Sequence, residues 1–417
     1  MAGLLFIASF MGACAHYPVN QPVLASGTAG GYRLDNIRPS TNSDNLLVVL
    51  TFSGGATSSA ALSYGVLQGL AGTVVYYEGR ERRLIDEVDI ISAVSGGSFT
   101  TAYYGLHGDG IFKDFEGRFL KKDMQTAMIN YLIAPANLLR MSSPTFCRSD
   151  AAAEFFDSCL FDGATFADIQ ARGGPFVMIN ASDLSLGTHF SFTQDQFDLI
   201  GSELSSFSVA RAVTAASAVP GFFTPIALKN YRGGGTAYLH LVDGGVSDNL
   251  GVRPVLDRIA GAGGLAAGML GSAERVVFIV VNAETKSRSG QAMGEEAPSI
   301  SRTLRCATGA MINRYNLDTM DLLNRTLKKW DDGRRTAREG GQGGQEDGPR
   351  YYIVEVNLDL VKDASERDYL NDLPISFNLP PGAVDRLTAA ARKILSESPE
   401  FKRLIKDMGR SRGGREN

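Results

Sequence analysis

Ser95 is the first residue whose type and setting suggest catalysis. It follows a predicted buried strand in Ala93-Val94-Ser95-Gly96-Gly97, and a helix is predicted directly after it. Small neighbours permit a tight strand-to-helix turn that exposes the hydroxyl, as in a nucleophile elbow, although Ala93 replaces the first glycine of G-x-S-x-G. The helix N-terminus favours negative charge at the serine. The same pattern is compatible with a plain Ser-Gly-Gly turn.

A second glycine turn, Ser53-Gly54-Gly55, also follows a predicted buried strand. Glycines there let consecutive backbone N–H groups face one point, which suits an oxyanion hole or a phosphate. A Walker A loop is excluded because no Gly-Lys-Ser/Thr follows, and the spacing to Ala56 excludes a dinucleotide fingerprint. A simple turn is the structural alternative.

Asp243 provides the third group, in Val242-Asp243-Gly244-Gly245 at the end of a further predicted strand. Strand ends gather catalytic groups in open α/β sheets, so we expect this carboxylate at the same carboxyl edge as Ser95. No histidine follows His240, so the order Ser, Asp, His of an α/β-hydrolase triad cannot be completed. A partly desolvated aspartate can instead act as the general base of a Ser–Asp dyad. Loop capping by Asp243 is the structural alternative.

Continuous apolar runs predict the elements that hold these residues. Strands are expected at 46–52, 88–94, 176–181 (paired with 188–193), 238–242, 275–281 and 351–356, and helices at 59–70, 96–106, 209–218, 300–335 and 383–408. A strand–turn–helix unit repeated within about sixty residues predicts an α/β fold with helices on both sides of a mostly parallel sheet. The fold class is therefore a three-layer α/β/α sandwich.

The chain divides into four predicted parts. Residues 1–14 resemble a signal segment, 15–45 form an extended lead-in, and 46–285 form the catalytic domain with a helical insertion at about 110–172. Residues 286–417 form a C-terminal extension with a helix, a flexible glycine-rich loop at 338–348, the last strand and a terminal helix. In the insertion, the apolar residues of 124–145 either line an acyl pocket, form a lid or belong to the core; they are Met128, Ile129, Tyr131, Leu132 and Ile133.

These blocks, in this order, resemble the patatin-like phospholipase family over 45–284. The most specific block is Ala215-Ala216-Ser217-Ala218-Val219-Pro220-Gly221-Phe222-Phe223-Thr224-Pro225. The resemblance implies lipid acyl-ester hydrolysis through an acyl-enzyme, with Ser95 as nucleophile and Asp243 as base. It implies an oxyanion hole at Gly54, Gly55 and Ala56. The candidates for lining a substrate pocket are Gly96, Gly97, Ser217, Pro220, Phe222 and Phe223.

Two positions depart from the family pattern Gly-Gly-Gly-x-Arg/Lys. Ala56 replaces the third glycine and Ser58 replaces the cation. A positive φ at Ala56 would cost about 1–3 kcal/mol, and a lost oxyanion donor lowers turnover about 10²–10³-fold. Two alternatives stay open beside hydrolysis: an acyltransferase that uses the same acyl-enzyme, and a catalytically silent, membrane-tethered lipid-binding protein.

Composition narrows the partners. The 41 Lys and Arg against 45 Asp and Glu give a formal charge of −4, which argues against nucleic-acid binding. Glycine is abundant, at 47 residues, and there are only 4 histidines and 4 cysteines, without a Cys-x-x-Cys pair. We expect no metal and no cofactor. Cys147 and Cys159 are either bridged or free. The expected partners are a lipid or acyl-ester substrate and a membrane surface, and the oligomeric state is not predicted.

The N-terminus suggests export. A short apolar run ends in Met11-Gly12-Ala13-Cys14, which resembles a bacterial lipobox with Cys14 as the lipidated residue. No Lys or Arg precedes Arg33, so the usual positive region is missing unless the true start lies upstream. The prediction is an exported, membrane-associated lipoprotein, or a cytoplasmic protein if Cys14 is not processed.

Overall fold

The computed structural model describes residues 15–23, 30–37, 42–233, 235–260, 273–285, 300–339 and 350–410. Segment 1–14 with Cys14, and most of the predicted loop at 338–348, lie outside these residues. Within the described part of the chain, no helix is both long enough and apolar enough to cross a bilayer.

The described strands include every strand predicted from the sequence. They are β1 Leu46–Phe52, β2 Val74–Tyr77, β3 Arg80–Arg83, β4 Val88–Val94, β5 Phe176–Asp183, β6 His189–Ser191, β7 Ile226–Lys229, β8 Tyr238–Asp243, β9 Arg275–Asn282 and β10 Tyr351–Asn357. Eight of them form one sheet in the order β10-β9-β1-β4-β5-β8-β7, with β6 paired to β5. β2 and β3 form a separate hairpin.

Five neighbouring strands, from β10 to β5, are parallel, whereas β6, β7 and β8 are antiparallel to their partners. β1, β4 and β5 are buried along their whole length, which explains their unbroken apolar runs. The predicted class, a three-layer α/β/α sandwich with a mostly parallel central sheet, is confirmed.

The described helices are α1 Ala56–Ala71, α2 Gly96–His107, α3 Ile111–Phe115, α4 Met124–Ile133, α5 Pro135–Arg140, α6 Arg148–Phe156, α7 Phe166–Arg172, α8 Gln194–Leu199, α9 Val209–Ala216, α10 Arg253–Ala260, α11 Ile300–Glu339, α12 Ala364–Asn371, α13 Pro381–Glu397 and α14 Pro399–Arg410. Five of them, α3 to α7, lie in the region 110–172. Two single π-helical turns, Glu116–Leu120 and Asp157–Phe161, extend α3 and α6. α1 follows the first glycine turn and α2 follows Ser95.

The C-terminal part of the chain is integrated into the same sheet. β10 pairs in parallel with β9, and α13 packs along α1. The single terminal helix predicted at 383–408 is instead two helices. Pro399 has no N–H to continue the first helix, and Ser398 before it is extended at ψ 127°.

The helices α8, α10 and α12 were missed from the sequence, and so were two strand elements. The β2–β3 hairpin pairs Val74–Tyr77 with the charged run Arg80–Arg83 through a turn in which Glu78 and Gly79 both have positive φ. β7 has four residues and pairs only with β8, at the edge of the sheet. Both elements are short and partly exposed, so neither has the continuous apolar run by which the buried strands were found.

Candidate active site

Ser95 lies in a strained turn between β4 and α2. Its φ of 48° and ψ of −123° form a combination that is rare for a residue with a side chain. A Cβ on Gly96 would lie 2.0 Å from the Ala56 carbonyl oxygen, so only glycine fits where the elbow touches the start of α1. Ser95 is 7% exposed. The tight turn expected from its small neighbours is present.

Asp243 reaches the level of Ser95 by a route that the sequence did not indicate. The expectation of a shared carboxyl edge is wrong in its reasoning, because β8 runs antiparallel to β5. Register brings the two residues level instead: Val94 pairs with Asn180 on one side of β5, and Asp243 pairs with the next residue, Ala181, on the other. The chain then turns over β5 at Gly244. A Cβ on Gly244 would lie 2.3 Å from the Asn180 carbonyl oxygen.

The Asp243 carboxyl group is buried, with only one oxygen satisfied. Its Oδ1 accepts the Gly245 N–H at 2.8 Å, whereas Oδ2 has no hydrogen-bond partner among the described residues. Burial raises the pKa of Asp243 to about 6, and interactions with the Ser95 side chain and the Gly245 amide limit the rise. The Ser95 side chain thus interacts with this carboxyl group, although Oδ2 accepts no hydrogen bond from the described residues. A carboxylate of this kind is suited to act as a proton acceptor.

The end of α9 holds both residues. The Ser95 N–H donates to the Ala216 carbonyl at 3.1 Å, and the Asp243 N–H donates to the Ala218 carbonyl at 3.0 Å. Ser217, between these two alanines, is buried, and its hydroxyl has no partner among the described residues. α9 is itself tied to the start of α6 by a buried ion pair, in which Arg211 Nη1 lies 2.6 Å from Asp150 Oδ1.

Of the three backbone amides predicted to form the oxyanion hole at the first glycine turn, two are available to bind a substrate. The Gly54 N–H is engaged, because it donates to the backbone oxygen and to the side-chain Oδ1 of Asn249, both at 3.2 Å. Gly54 is thus a contact of the oxyanion loop rather than a free donor. The N–H groups of Gly55 and Ala56 have no acceptor among the described residues. Ser58, where the family has a cation, is buried.

Two asparagines that sequence reasoning missed position this site. Asn249 holds the Gly54 amide, as described. Asn180 in β5 donates to Ser92 Oγ at 2.8 Å and to the Ala93 carbonyl at 3.0 Å, directly below the elbow. A fully buried asparagine within an apolar strand needs such partners, so the run Phe176–Ala181 contained a signal for Asn180. Nothing in the sequence around Asn249 distinguished it.

The predicted pocket residues fall into two groups. Gly96 and Gly97 are buried against residues 52–56, so they serve packing and leave no surface for substrate. Pro220 is exposed, the Phe222 side chain is 75% exposed, and Phe223 packs partly against the core. Cys14 lies outside the described residues.

Neither histidines nor cysteines join the site. His240 is exposed on β8, and His189 Nε2 lies 3.5 Å from Asp257 Oδ2. Among the described residues, no contact of Ser95 or Asp243 involves a histidine. Cys147 and Cys159 are both free thiols, and the Cys147 thiol donates to Asp150 Oδ2 at 2.9 Å.

Ala56, at the position where the family pattern has glycine, has a φ of 50°. This is the strained, positive-φ conformation considered above. A side chain in this region costs about 1–2 kcal/mol, partly offset by the lower entropy of alanine in the unfolded chain. We expect Ala56→Gly to stabilise the protein by about 0.5–1 kcal/mol in urea unfolding. The matched variant Ala60→Gly, in the interior of α1, should destabilise it by about 1 kcal/mol. Destabilisation of similar size by both changes would contradict the strain at Ala56.

One family model and several solved structures are similar to this chain. Residues 50–256, just under half of the chain, match the model of the family described as patatin-like phospholipase. No curated protein matches the sequence. Human GIVD cytosolic phospholipase A2 is similar in structure, with a TM-score of 0.46, 10% identity, and coverage of 88% of this chain and 60% of that one.

Two further structures are also similar to this chain. The same human phospholipase in complex with methyl gamma-linolenyl fluorophosphonate has a TM-score of 0.49 and 12% identity, with 88% of this chain and 59% of that one covered. VipD from Legionella pneumophila has a TM-score of 0.35 and 11% identity, with 92% and 72% covered. The chain thus spans about 60% of the length of the human structures.

Proposed function

We propose that this protein is a serine hydrolase of lipid acyl esters and that it works through a Ser95–Asp243 dyad. The match of residues 50–256 to the patatin-like phospholipase model supports this proposal. The observation that carries the proposal is the pairing of a strained serine with a buried carboxylate. The backbone N–H groups of Ser95 and Asp243 donate to two carbonyls of one segment, those of Ala216 and Ala218 respectively. The free Asp243 Oδ2 then has a defined use, which is to take the serine proton.

The reaction divides into two halves. Ser95 Oγ attacks the acyl carbonyl carbon while Asp243 accepts its proton, and the oxyanion is held by the N–H groups of Gly55 and Ala56. The protonated Asp243 then donates to the leaving alcohol oxygen as the acyl-enzyme forms. Water attacks the acyl-enzyme next, Asp243 takes the water proton, and that proton returns to Ser95 Oγ as the fatty acid leaves. The N-terminus of α2 favours the negative charge that develops near Ser95.

A lipid–water interface is the proposed location of the substrate. Three apolar side chains next to the segments that hold the dyad are exposed. Val219 at 42% and Phe222 at 75% follow Ala218, whose carbonyl accepts the Asp243 N–H, and Val246 at 50% lies three residues after Asp243. Exposed apolar side chains of this kind favour contact with lipid.

We also propose that the protein is exported and anchored at Cys14. Cell fractionation and palmitate labelling of the native protein and of Cys14→Ser would test this. Unlabelled native protein in the soluble fraction would contradict this part.

The proposal is tested by covalent labelling and product analysis. A fluorophosphonate probe should react at Ser95, identified by peptide mass spectrometry, and a panel of phospholipid and glycerolipid esters should yield free fatty acid. Repeating the reaction with an added alcohol separates hydrolysis from transfer, since the acyl-enzyme is common to both. Lipid binding without probe reaction would overturn the hydrolase and favour the silent lipid-binding alternative, to which strain at Ala56 and the buried Ser58 point.

The pH–rate profile should report a carboxylate base. Because burial raises the pKa of Asp243 to about 6 and only its ionised form accepts a proton, kcat/KM should fall about tenfold per pH unit below pH 6. The measurement is p-nitrophenyl butyrate hydrolysis from pH 4.5 to 8.5. The limb should persist in His189→Ala and His240→Ala. It should also persist in Asp248→Asn, which removes a second buried carboxyl group whose pKa burial raises to about 6. Loss of the limb in any of the three would contradict the dyad.

A further inference from the structure

The C-terminal part of the chain contacts the candidate site through one segment. Residues 372–380, here called the strap, connect α12 to α13 and lie outside the region that matches the family model. The Ser376 carbonyl accepts the Thr57 N–H at 3.2 Å. Thr57 directly follows Ala56, whose amide is a candidate oxyanion donor. The strap therefore meets the first turn of α1 one residue from the proposed oxyanion hole.

The strap is held from two further sides. The Phe377 ring packs edge-to-face on Phe99, with 5.4 Å between the ring centroids, and Phe99 lies one helical turn after Ser95. Gln125 at the start of α4 donates its N–H to the Phe377 carbonyl at 3.2 Å, and Gln125 Oε1 accepts the Ser376 hydroxyl at 2.8 Å. Through these contacts the strap connects the first turn of α1, the nucleophile helix α2 and the insertion helix α4 at one place.

An apolar row begins where the strap meets α4. Ile375 is 76% exposed, although its neighbours Ser376 and Phe377 are bound. Ile129 and Ile133 follow Gln125 at intervals of four, so they share a face of α4, and they are 46% and 57% exposed. The row from Gln125 to Ile133 is about 12 Å long. α4 contains no charged residue.

We propose that the strap is a specificity element, in which Ile375, continued by Ile129, binds the acyl chain of the substrate as it leaves the dyad. The inference rests on the proposed function. An acyl chain is the occupant that fits this uncharged apolar row, because the strap from which the row begins contacts the first turn of α1 beside the oxyanion loop. A chain esterified at Ser95 must leave the site over the surrounding surface. Ser376 is a positioning residue, since its carbonyl holds the first turn of α1.

The test compares short and long substrates. We expect Ile375→Asn and Ile129→Asn each to lower kcat/KM for p-nitrophenyl laurate about tenfold, while kcat/KM for p-nitrophenyl acetate stays within twofold. Val74→Asn is the matched control. Val74 is 56% exposed in the β2–β3 hairpin, which follows the C-terminal end of α1, away from the site. This control should change neither rate. Equal losses on both esters, or no loss on laurate, would overturn the proposal.

A binding measurement separates this inference from the hydrolase itself. Calorimetry with dodecanoic acid on the same variants needs no turnover, and both Ile variants should bind about tenfold more weakly than the native protein and Val74→Asn. Native protein that binds the acid through Ile375 but hydrolyses no ester leaves the strap standing and refutes the hydrolase. Hydrolysis with binding that is insensitive to Ile375, or no binding at all, refutes the strap.

Discussion

Ser95→Ala is expected to abolish ester hydrolysis, with kcat for p-nitrophenyl butyrate reduced about 10⁵–10⁶-fold. The variant removes the atom that forms the acyl-enzyme, and no other hydroxyl is placed in the same strained turn. Because alanine retains the Cβ and the backbone amide that donates to Ala216, the elbow should keep its geometry. Thermal unfolding should therefore be close to that of the native protein, and labelling by a fluorophosphonate should disappear.

Ser98→Ala is the matched control for this loss. Ser98 lies in the first turn of α2, three residues after the nucleophile, and its buried hydroxyl has no hydrogen-bond partner among the described residues. Removing it deletes the same atom in nearly the same environment, so activity should stay within a fewfold of the native value. Full activity in Ser95→Ala would refute the assignment of the nucleophile, and equal inactivation by Ser98→Ala would indicate a packing effect.

Asp243→Asn should lower kcat about 10⁴-fold. Asparagine keeps an oxygen for the Gly245 N–H but cannot accept the serine proton. Fluorophosphonate labelling should slow in parallel, because it also needs the deprotonated serine. Activity that stays within tenfold of the native value would show that another group is the base.

The same variant should have a distinctive stability. The folded-state pKa of Asp243, about 6, is above its unfolded value, so the folded protein binds the proton more tightly. The group has no effect below about pH 3, where both states are protonated. As pH rises from 4 to 7, the native protein must hold a buried charge and loses about 1–3 kcal/mol relative to Asp243→Asn. Urea unfolding at pH 4.5 and 7.5 measures this, and a pH-independent difference between the two proteins would contradict the buried carboxylate.

Local patterns were sufficient for much of the core. β1, β4, β5 and β9 were found because strands buried on both faces need apolar residues at every position. The tight elbow at Ser95 also followed from local residues, since its small neighbours permit a sharp strand-to-helix turn. The single helix expected at 383–408 failed for a local reason as well, because Pro399 interrupts it.

Contacts between distant segments could not be read from the sequence. Three features depend on residues that are far apart in the chain: the antiparallel pairing of β8 with β5, the hydrogen bond from Gly54 to Asn249, and the contact of the strap with Thr57. Strand direction depends on how the chain crosses from one element to the next, which leaves no periodic trace in the strand itself. Hydrogen bonds from a loop depend on which distant loop folds against it.

The sequence by itself determined which strands are buried, where the glycine turns fall, and that no histidine can follow Asp243. These properties depend on hydrophobic periodicity and backbone freedom, which act over a few residues. Only the tertiary structure decided that Asp243 lies level with Ser95, that its carboxyl group is buried enough to raise the pKa to about 6, and that Gly54 is already bonded while Gly55 and Ala56 are free among the described residues. Register, burial and hydrogen-bond partners all depend on the packing of segments that are distant in the chain.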